Sequence, residues 1–366
     1  MLTSILISVG FLLACGLILA ALLVLAEKKI LNYGTCHIHI NNGKKTLDVE
    51  GGSSLLNSLA EQNIFIPSAC GGRGTCAYCK LKVNEGGGSI SPVEEPYLSP
   101  EERQEHVRLS CQVKVRRDLS IEIPDDLFSF RRFHAKVARK RALTHDIVEL
   151  RLALVEPTTI EFEAGQYIQL ESAEYKGHEA VMRGYSISSV PSDKTHLELI
   201  IRLVPDGICS TWVVQHLKEG ANITLSGPYG HFHLSDTTAP IICIAGGSGM
   251  APIWSILRDM KEKGLNRPAT YFFGALTQRD LFFLDEFKQL AKECPWFTFV
   301  PALSKEPADS SWQGERGLIT EVVDRHFPDT SQHEAYLCGS PGMIDAAIAV
   351  LKKNGMPEAN IFYDKF

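Results

Sequence analysis

Four cysteines have the spacing of a metal-cluster site. Three share one loop and the fourth lies far along the chain, in the pattern C-x5-C-x2-C-x31-C: Cys70, Cys76, Cys79 and Cys111. Four thiolates placed in this way can hold a 2Fe–2S cluster. The loop CGGRGTC contains three glycines, and residues without a Cβ let backbone N–H groups approach the cluster sulfurs closely. The spacing therefore predicts that these four cysteines bind iron.

The alternative for four cysteines is a structural zinc site. Such sites usually pair their ligands as two C-x2–4-C knuckles, whereas here the distal segment supplies one cysteine. The arrangement instead resembles that of plant-type ferredoxins, which favours the cluster over zinc. Most other cysteines are interpreted as small core or strand residues: Cys36, Cys209, Cys243 and Cys294.

A second group of residues could hold a flavin. In the predicted strand containing RGYS, Arg183 can neutralise a diphosphate, Tyr185 can lie against an isoalloxazine ring, and Ser186 can hydrogen-bond to the reactive ring edge. Gly207 and Ser210 belong to a tight turn that opens a helix, where free N–H groups can face an anion. The R-x-Y-S pattern resembles the flavin motif of ferredoxin-reductase-type oxidoreductases, and that resemblance implies FAD.

A third group has the features of a nicotinamide nucleotide site. Gly246, Gly247 and Gly249 follow the apolar strand IICIA and open a helix, so that a diphosphate can approach a helix N-terminus. The segment GGSGMAP differs from the Rossmann G-x-G-x-x-G and resembles the G-G-x-G-x-A-P of ferredoxin-reductase-type nicotinamide domains. The resemblance implies NADH as substrate, with Arg279 placed where the 2′-phosphate of NADPH could be met.

Three further residues receive their roles from the same resemblance. Cys338 and Gly339, in CGSP at the end of a later predicted strand, match the family's C-G-x-P and would lie beside the nicotinamide and the flavin ring. The terminal Phe366 would cover the flavin face that the nicotinamide must reach. We expect Cys338, Ser186 and Phe366 to act at the point of hydride transfer.

The elements that position these groups fall into three soluble modules. Residues 35–126 read as an α+β ferredoxin-like (β-grasp) domain, in which SSLLNSLAEQ is a serine-capped helix and RLSCQVKV, at 108–115, is a strand. Residues 130–236 show the alternating strands of an antiparallel β-barrel with one helix, STWVVQHL. Residues 238–366 alternate strand and helix, as in an α/β doubly wound parallel sheet.

The N-terminal segment predicts a membrane anchor. Residues 2–26 carry no charge, and about 20 apolar residues suffice to cross a bilayer core as a helix. A cleaved signal peptide is the alternative, but the segment lacks a basic n-region and is too long. Lys28 and Lys29 follow the segment and no basic residue precedes it, which predicts a single-pass protein with its soluble domains in the cytoplasm. A net charge of −6 gives no basic field for nucleic acid.

In this order the anchor, cluster, flavin and nicotinamide modules resemble the F subunits of bacterial sodium-translocating NADH:quinone oxidoreductases. The resemblance implies electron transfer from NADH through FAD and the 2Fe–2S cluster to membrane-embedded redox subunits, and so indirectly to the quinone pool, at the inner membrane. One departure is that only a dozen residues separate QYIQL from RGYS, where the family carries a long insertion. A shortened paralogue, acting as a stand-alone membrane-tethered reductase for an oxygenase or desaturase, is therefore the alternative.

Overall fold

The computed structural model describes residues 15–16, 33–68, 70–124 and 131–365. The described chain divides into two compact units. The first contains residues 33–66 and 72–124, and the second contains residues 131–365 together with the short segment before residue 72. Each unit is described by itself.

The first unit is a mixed sheet with helices. Its elements are β1 (Thr35–Ile40), β2 (Lys45–Glu50), α1 (Leu55–Glu61), β3 (Lys80–Glu85), α2 (Pro100–Gln104), β4 (Val107–Leu109) and β5 (Leu119–Glu122). The strand order is β2-β1-β5-β3-β4, with β1 parallel to β5 and the other neighbours antiparallel. Ser54 Oγ accepts a hydrogen bond from Asn57 N at 3.3 Å, which confirms the serine cap of α1.

One strand prediction in this unit was wrong. The segment 108–115 was expected to be a strand, but β4 ends at Leu109. Gln112 N donates to Leu109 O at 2.8 Å, so the chain turns immediately after the strand. The hydrogen bonds of this turn replace those of a sheet, and Cys111 consequently lies in a turn.

The second unit begins with a six-stranded antiparallel barrel. Its strands are β6 (Arg131–Ala142), β7 (Ile147–Glu156), β8 (Tyr167–Glu171), β9 (Met182–Ser186), β10 (His196–Arg202) and β11 (Asn222–Tyr229). They are ordered β10-β7-β6-β11-β8-β9. A bridge between Ile187, just past β9, and Leu199 in β10 joins the two outer strands and closes the barrel. The predicted antiparallel flavin-type barrel is confirmed.

The helix of the barrel is only partly α-helical. A single turn, α3 (Ile208–Thr211), continues into a π-helix at Trp212–His216. Leu217 N donates to Trp212 O at 2.8 Å, which is an i→i+5 bond. Lys140 Nζ donates to Val214 O at 2.8 Å and to Leu217 O at 2.9 Å. The lysine thus satisfies carbonyls that the wider turn leaves open.

The remainder of the second unit is a parallel sheet covered by helices. Its elements are β12 (Ile241–Gly246), α4 (Met250–Glu262), β13 (Ala269–Ala275), α5 (Leu284–Glu293), β14 (Phe297–Leu303), β15 (Glu315–Arg316), α6 (Ile319–His326), β16 (Glu334–Gly339), α7 (Pro341–Lys353) and β17 (Ile361–Lys365). The order is β15-β14-β13-β12-β16-β17, parallel throughout. Residues of α4 and α5 enter one core, and residues of α6 and α7 enter another. The doubly wound sheet is confirmed.

Candidate functional site

The pairing of β3 with β4 brings two distant cysteines together. Lys80 in β3 pairs with Leu109 in β4. Ser110 N then donates to Cys79 O at 2.8 Å, so the end of the cysteine loop faces the turn that carries Cys111. Both thiols are buried, whereas Cys70 and Cys76 are half-buried. A short antiparallel pairing therefore joins residues that the sequence separates by 31 positions.

The thiols of this loop influence one another. A hydrogen bond with the Cys111 thiol raises the pKa of the Cys79 thiol, and burial and the charge of Cys76 raise it further. Thiols in such surroundings become thiolates when a cation stands among them, and iron is a suitable one. Gln112 Nε2 lies 3.4 Å from Cys111 Sγ and can donate to it. The donor set fits a 2Fe–2S cluster.

The backbone of the loop has a conformation that glycine permits. The values of φ at Gly71, Gly72 and Gly74 are +64°, +88° and +77°. Side chains rarely adopt this left-handed region. A Cβ added to Gly72 would lie 3.9 Å from Cys111 Cβ, so the loop passes next to the segment with the distal thiol. This close approach is what a cradle around a cluster requires.

Two of the four thiols make a direct contact. The thiols of Cys79 and Cys111 are hydrogen-bonded to each other. Each iron of a 2Fe–2S cluster takes two thiolates, and this pair fits that requirement.

Strand β9 carries the three residues that were predicted to bind a flavin. Arg183 and Tyr185 share one face of the strand, because side chains alternate, and Ser186 ends it. The Tyr185 hydroxyl is hydrogen-bonded to the thiol of Cys209 in α3. Burial raises the pKa of Tyr185 well above its usual value, so the phenol is neutral. The contact with Cys209, which the sequence indicated only as a small core residue, joins the two segments that were predicted to bind a flavin.

The turn at Gly207 is held together by the hydroxyl group of Ser210. Gly207 is the N-cap of α3 and makes no side-chain capping bond. Ser210 Oγ accepts from Val204 N at 3.1 Å and donates to Gly207 O at 3.3 Å. The Ser210 hydroxyl therefore stabilises the turn, and the backbone N–H groups of α3 are the groups suited to an anion.

The predicted glycine loop lies at the switch point of the parallel sheet. Strands β12 and β16 are neighbours, with Ala245 paired to Cys338, and the strand order reverses between them. Ligands of open α/β sheets bind at this crevice, outside the carboxyl ends of the strands. A Cβ on Gly249 would lie 2.2 Å from Cys338 O. The structure thus brings together all five residues expected here: Gly246, Gly247, Gly249, Cys338 and Gly339.

Cys338 connects the nucleotide crevice with the flavin strand. Its side chain is fully buried and hydrogen-bonds to Ser186. Burial raises the pKa of the Cys338 thiol well above its usual value, and the charge of Asp364 adds to the effect. The thiol is therefore neutral. Residues from the two predicted sites, far apart in sequence, meet at this contact.

Two residues that the sequence did not single out also lie at the crevice. Arg202, at the end of β10, has Nη1 3.5 Å from the position of a Cβ on Gly247. Its Nε donates to Asp146 Oδ2 at 2.7 Å, which orients the guanidinium. Met343 in α7 lies against Gly246 and Gly339. The sequence signal for Arg202 is weak: it is the charged residue that ends the largely apolar strand LELIIR.

Two predictions lie outside the described residues. They are Phe366 and nearly all of the segment 2–26. Within the described part of the chain, the helices are all too short or too polar to cross a bilayer.

Three domain families match the chain in succession. Residues 34–116 match the 2Fe-2S iron-sulfur cluster binding domain. Residues 134–234 match the oxidoreductase FAD-binding domain, and residues 243–348 match the oxidoreductase NAD-binding domain. The chain therefore uses a 2Fe–2S cluster and FAD as cofactors and NADH as substrate.

Relatives cover nearly the whole chain. The F subunit of the Na+-translocating NADH-quinone reductase of Neisseria meningitidis is 36% identical over 385 aligned positions, covering 93% of this chain and 94% of the relative. The protein of the same name in Pseudomonas aeruginosa is 34% identical, covering 99% and 98%. Among solved structures, the Amycolatopsis cytochrome P450 reductase GcoB is 30% identical with a TM-score of 0.74, covering 91% and 99%.

The matches agree with the geometry of the chain. A four-thiol loop, a flavin strand and a nucleotide crevice follow one another in the order of the three matched domains. The chain belongs to the family of the F subunit of the Na+-translocating NADH-quinone reductase.

Proposed function

We propose that this protein is the electron-input subunit of a sodium-translocating NADH:quinone reductase. It would take electrons from NADH and pass them through FAD and the 2Fe–2S cluster to a membrane acceptor. The observation that carries the proposal is the match to the F subunits of such reductases along 93–99% of the chain. We place the cluster domain at 35–126, the FAD barrel at 130–236 and the NADH domain at 238–366.

We assign the cofactor-binding roles as follows. Cys70, Cys76, Cys79 and Cys111 ligate the cluster. Arg183 binds the FAD diphosphate together with backbone N–H groups that follow Gly207, while Ser210 holds that turn and Tyr185 packs against the isoalloxazine. Bound FAD accepts hydride from NADH and releases electrons singly, and the cluster carries one electron at a time. The protein positions these groups and controls their surroundings.

The nucleotide crevice would orient NADH through its backbone and one cation. Gly246, Gly247 and Gly249 let the diphosphate approach the N-terminus of α4. The guanidinium of Arg202, held by Asp146, stands at the same loop and can pair with the diphosphate. Because Cys338 touches Ser186, a nicotinamide ring resting on Cys338 and Gly339 would lie beside the flavin ring.

The pH dependence of flavin reduction tests whether the Cys338 thiol stays protonated. Burial raises the pKa of its thiol well above the usual value. We therefore expect the rate of flavin reduction to show no inflection from a titrating thiol between about pH 7 and about pH 9.5, the range in which an ordinary cysteine ionises. Stopped-flow bleaching of the flavin by NADH measures this rate. A thiol inflection that disappears in Cys338→Ala would show an exposed, ionisable cysteine and contradict the assignment.

A preference for NADH over NADPH is a second expectation. The side chain of Arg279 is 76% exposed, and its Nε lies 3.7 Å from Asp280 Oδ1. Glu306, following β14, accepts hydrogen bonds from Gln278 N at 2.9 Å and from Gln278 Nε2. These bonds lower the pKa of Glu306, so a carboxylate is fixed beyond the strand ends, where it would repel a 2′-phosphate.

Comparing kcat/KM for the two nucleotides tests this expectation. We expect NADH to be favoured by roughly tenfold or more, and Glu306→Gln to narrow the ratio, because like charges disfavour binding. Arg279→Gln should move the ratio further toward NADH, because it removes the cation that the sequence places where a 2′-phosphate could be met. A wild-type ratio that favours NADPH would overturn the preference.

We propose that residues 2–26 anchor the chain by a single span in the bacterial inner membrane, with the soluble domains in the cytoplasm. Confinement at the membrane raises the effective concentration of the cluster near membrane-embedded redox subunits. The two lysines that follow the segment support this orientation. Fractionation of cells, followed by protease treatment of inverted vesicles, tests the location and the orientation together.

The function is tested on native membranes. NADH oxidation and quinol formation are compared in membranes that contain or lack the protein, with sodium added or omitted. We expect sodium-stimulated quinol formation that depends on the protein. Reduction of flavin and cluster without quinol formation would contradict the proposed function.

A second candidate is a membrane-tethered reductase for an oxygenase or desaturase. It is favoured by the similarity to the P450 reductase of Amycolatopsis over 91% of the chain. The alignment with the Neisseria relative also extends over 385 positions, more than the 366 residues of this chain, so that relative carries segments that are missing here. Recovery of the native protein only as a monomer would support this candidate over the complex.

A further inference from the structure

Helix α4 connects the nucleotide crevice with the flavin strand. The helix begins directly after Gly249 and its residue Arg258 lies about 13 Å further along the axis, at 1.5 Å per residue. Ser255 and Arg258 both reach the segment that follows β9. One rigid element therefore contacts both predicted binding regions.

The segment that α4 contacts is the continuation of the flavin strand. Arg258 Nη2 donates to Ser188 O, and Ser255 Oγ donates to Ser189 O. Ser188 and Ser189 are almost completely buried and lie two and three residues after Ser186. Because Ser186 also contacts Cys338, the nucleotide sheet holds this short segment at both of its ends.

A buried carboxylate completes the contact. Glu198 of β10 retains 10% of its side-chain exposure and accepts from Arg258 Nη2 at 3.3 Å. Its other oxygen accepts from Arg151 Nη1 at 2.8 Å. The backbone of Glu198 also binds the same segment, since Ser188 N donates to Glu198 O at 2.8 Å. Arg258 Nη2 therefore donates hydrogen bonds both to the Glu198 carboxylate and to the Ser188 carbonyl.

The geometry of Arg258 is fixed on its remaining face. Its guanidinium lies over the indole ring of Trp254, one helical turn earlier, at 4.7 Å from the ring centroid. A planar cation that is stacked on one side and hydrogen-bonded on another has little freedom to move. Both hydrogen bonds come from Nη2, so the ammonium group of a lysine could replace them, but lysine has no planar group to stack on Trp254.

We propose that Arg258 is a positioning residue for hydride transfer. By fixing α4 to the segment 186–189 and to Glu198, it sets the distance and angle between the nicotinamide and the flavin ring. Hydride transfer depends steeply on this geometry, since a misplacement of about 1 Å can cost roughly a hundredfold in rate. The inference rests on the proposed placement of NADH at the glycine loop and of FAD on β9.

The experiment measures the rate of flavin reduction separately from binding. The FAD-loaded, full-length wild type, Arg258→Met and Arg258→Lys are mixed anaerobically with increasing NADH in a stopped-flow instrument. We expect the limiting rate constant to fall about 10- to 100-fold in Arg258→Met, with the dissociation constant of NADH changing less than about threefold. The long-wavelength charge-transfer absorbance of the nicotinamide–flavin complex should weaken in parallel, and Arg258→Lys should restore part of both signals.

A buried arginine elsewhere in the second unit provides the matched control. Arg267 Nη2 donates to Glu334 Oε2 at 2.6 Å, and the two side chains are buried, with 6% and 5% exposure. It precedes β13, at the amino ends of the strands and away from the crevice. Arg267→Lys should lower the melting temperature without changing the limiting rate constant.

The outcomes separate the inference from the proposed function. An unchanged limiting rate in Arg258→Met, or an equal loss in Arg267→Lys, would overturn the positioning role. If Arg258→Met does not fold, Glu198→Gln and Arg258→Lys decide the question, because each removes part of the same contact. A wild type that NADH cannot reduce at all would instead contradict the proposed function.

Discussion

Replacing Cys76 with alanine is expected to remove the 2Fe–2S cluster while NADH still reduces the flavin. Three thiolates cannot complete the four-thiolate ligand set. Cys76 belongs to the first compact unit, whereas the candidate flavin strand and the nucleotide crevice belong to the second. The EPR signal and the visible absorbance of the reduced cluster should disappear. Electron transfer from NADH to the membrane acceptor should fall to the background rate, and stopped-flow flavin bleaching should remain near the wild-type value.

Cys36→Ala is the matched control for this experiment. Cys36 lies in the same unit, is buried in β1, and is not part of the proposed ligand set. The control should retain the cluster signal and electron transfer. Loss of flavin reduction in Cys76→Ala would contradict the separation of the two functions, and a retained cluster signal would contradict the ligand assignment.

Gly249→Ala is expected to remove most NADH-dependent activity. The added Cβ would lie 2.2 Å from Cys338 O and 2.6 Å from Cys338 C, which are main-chain atoms that cannot rotate away. Overpacking of this kind typically costs about 1–3 kcal/mol of folding stability. Because the displaced atoms line the proposed NADH crevice, we expect kcat/KM for NADH to fall by roughly tenfold or more. The displacement would separate β16 from the start of α4, where the diphosphate and the nicotinamide are proposed to bind.

Gly342→Ala controls for the loss of a glycine at the same edge of the sheet. A Cβ on Gly342 meets no heavy atom within 4 Å, and the residue lies in the first turn of α7. Activity and FAD content should be unchanged in this variant. Steady-state kinetics with NADH measures both proteins, and wild-type activity in Gly249→Ala would show that the crevice tolerates the added methyl group.

The sequence pointed to candidate site residues but not to the contacts between them. The cysteine spacing and the glycine loop pointed to their chemistry, because those residue types are limited to a few uses. That Cys79 meets Cys111 depends on the register of β3 and β4, which no local pattern specifies. The structure also gives a packing reason for glycine at position 249, because the absence of a Cβ leaves room for the carbonyl of Cys338.

The fold was predictable where periodicity was strong. The alternation of strands and helices after residue 240 predicted the doubly wound sheet, since long periodic segments depend little on context. The π-helix at Trp212–His216 was not predictable, because it depends on Lys140 reaching carbonyls more than 70 residues away in sequence. Arg258 was missed for a similar reason: within an amphipathic helix it resembled an ordinary surface residue until Ser188 and Glu198 were found beside it.

The order of electron transfer can be followed after the purified full-length protein is mixed anaerobically with NADH, by stopped-flow absorbance together with rapid-freeze-quench EPR. We expect the flavin to be reduced first, and the EPR signal of the reduced 2Fe–2S cluster to rise afterwards at the expense of reduced flavin. A cluster signal that appears without prior flavin reduction, or a flavin that NADH reduces while the intact cluster stays oxidised, would contradict this order of electron transfer.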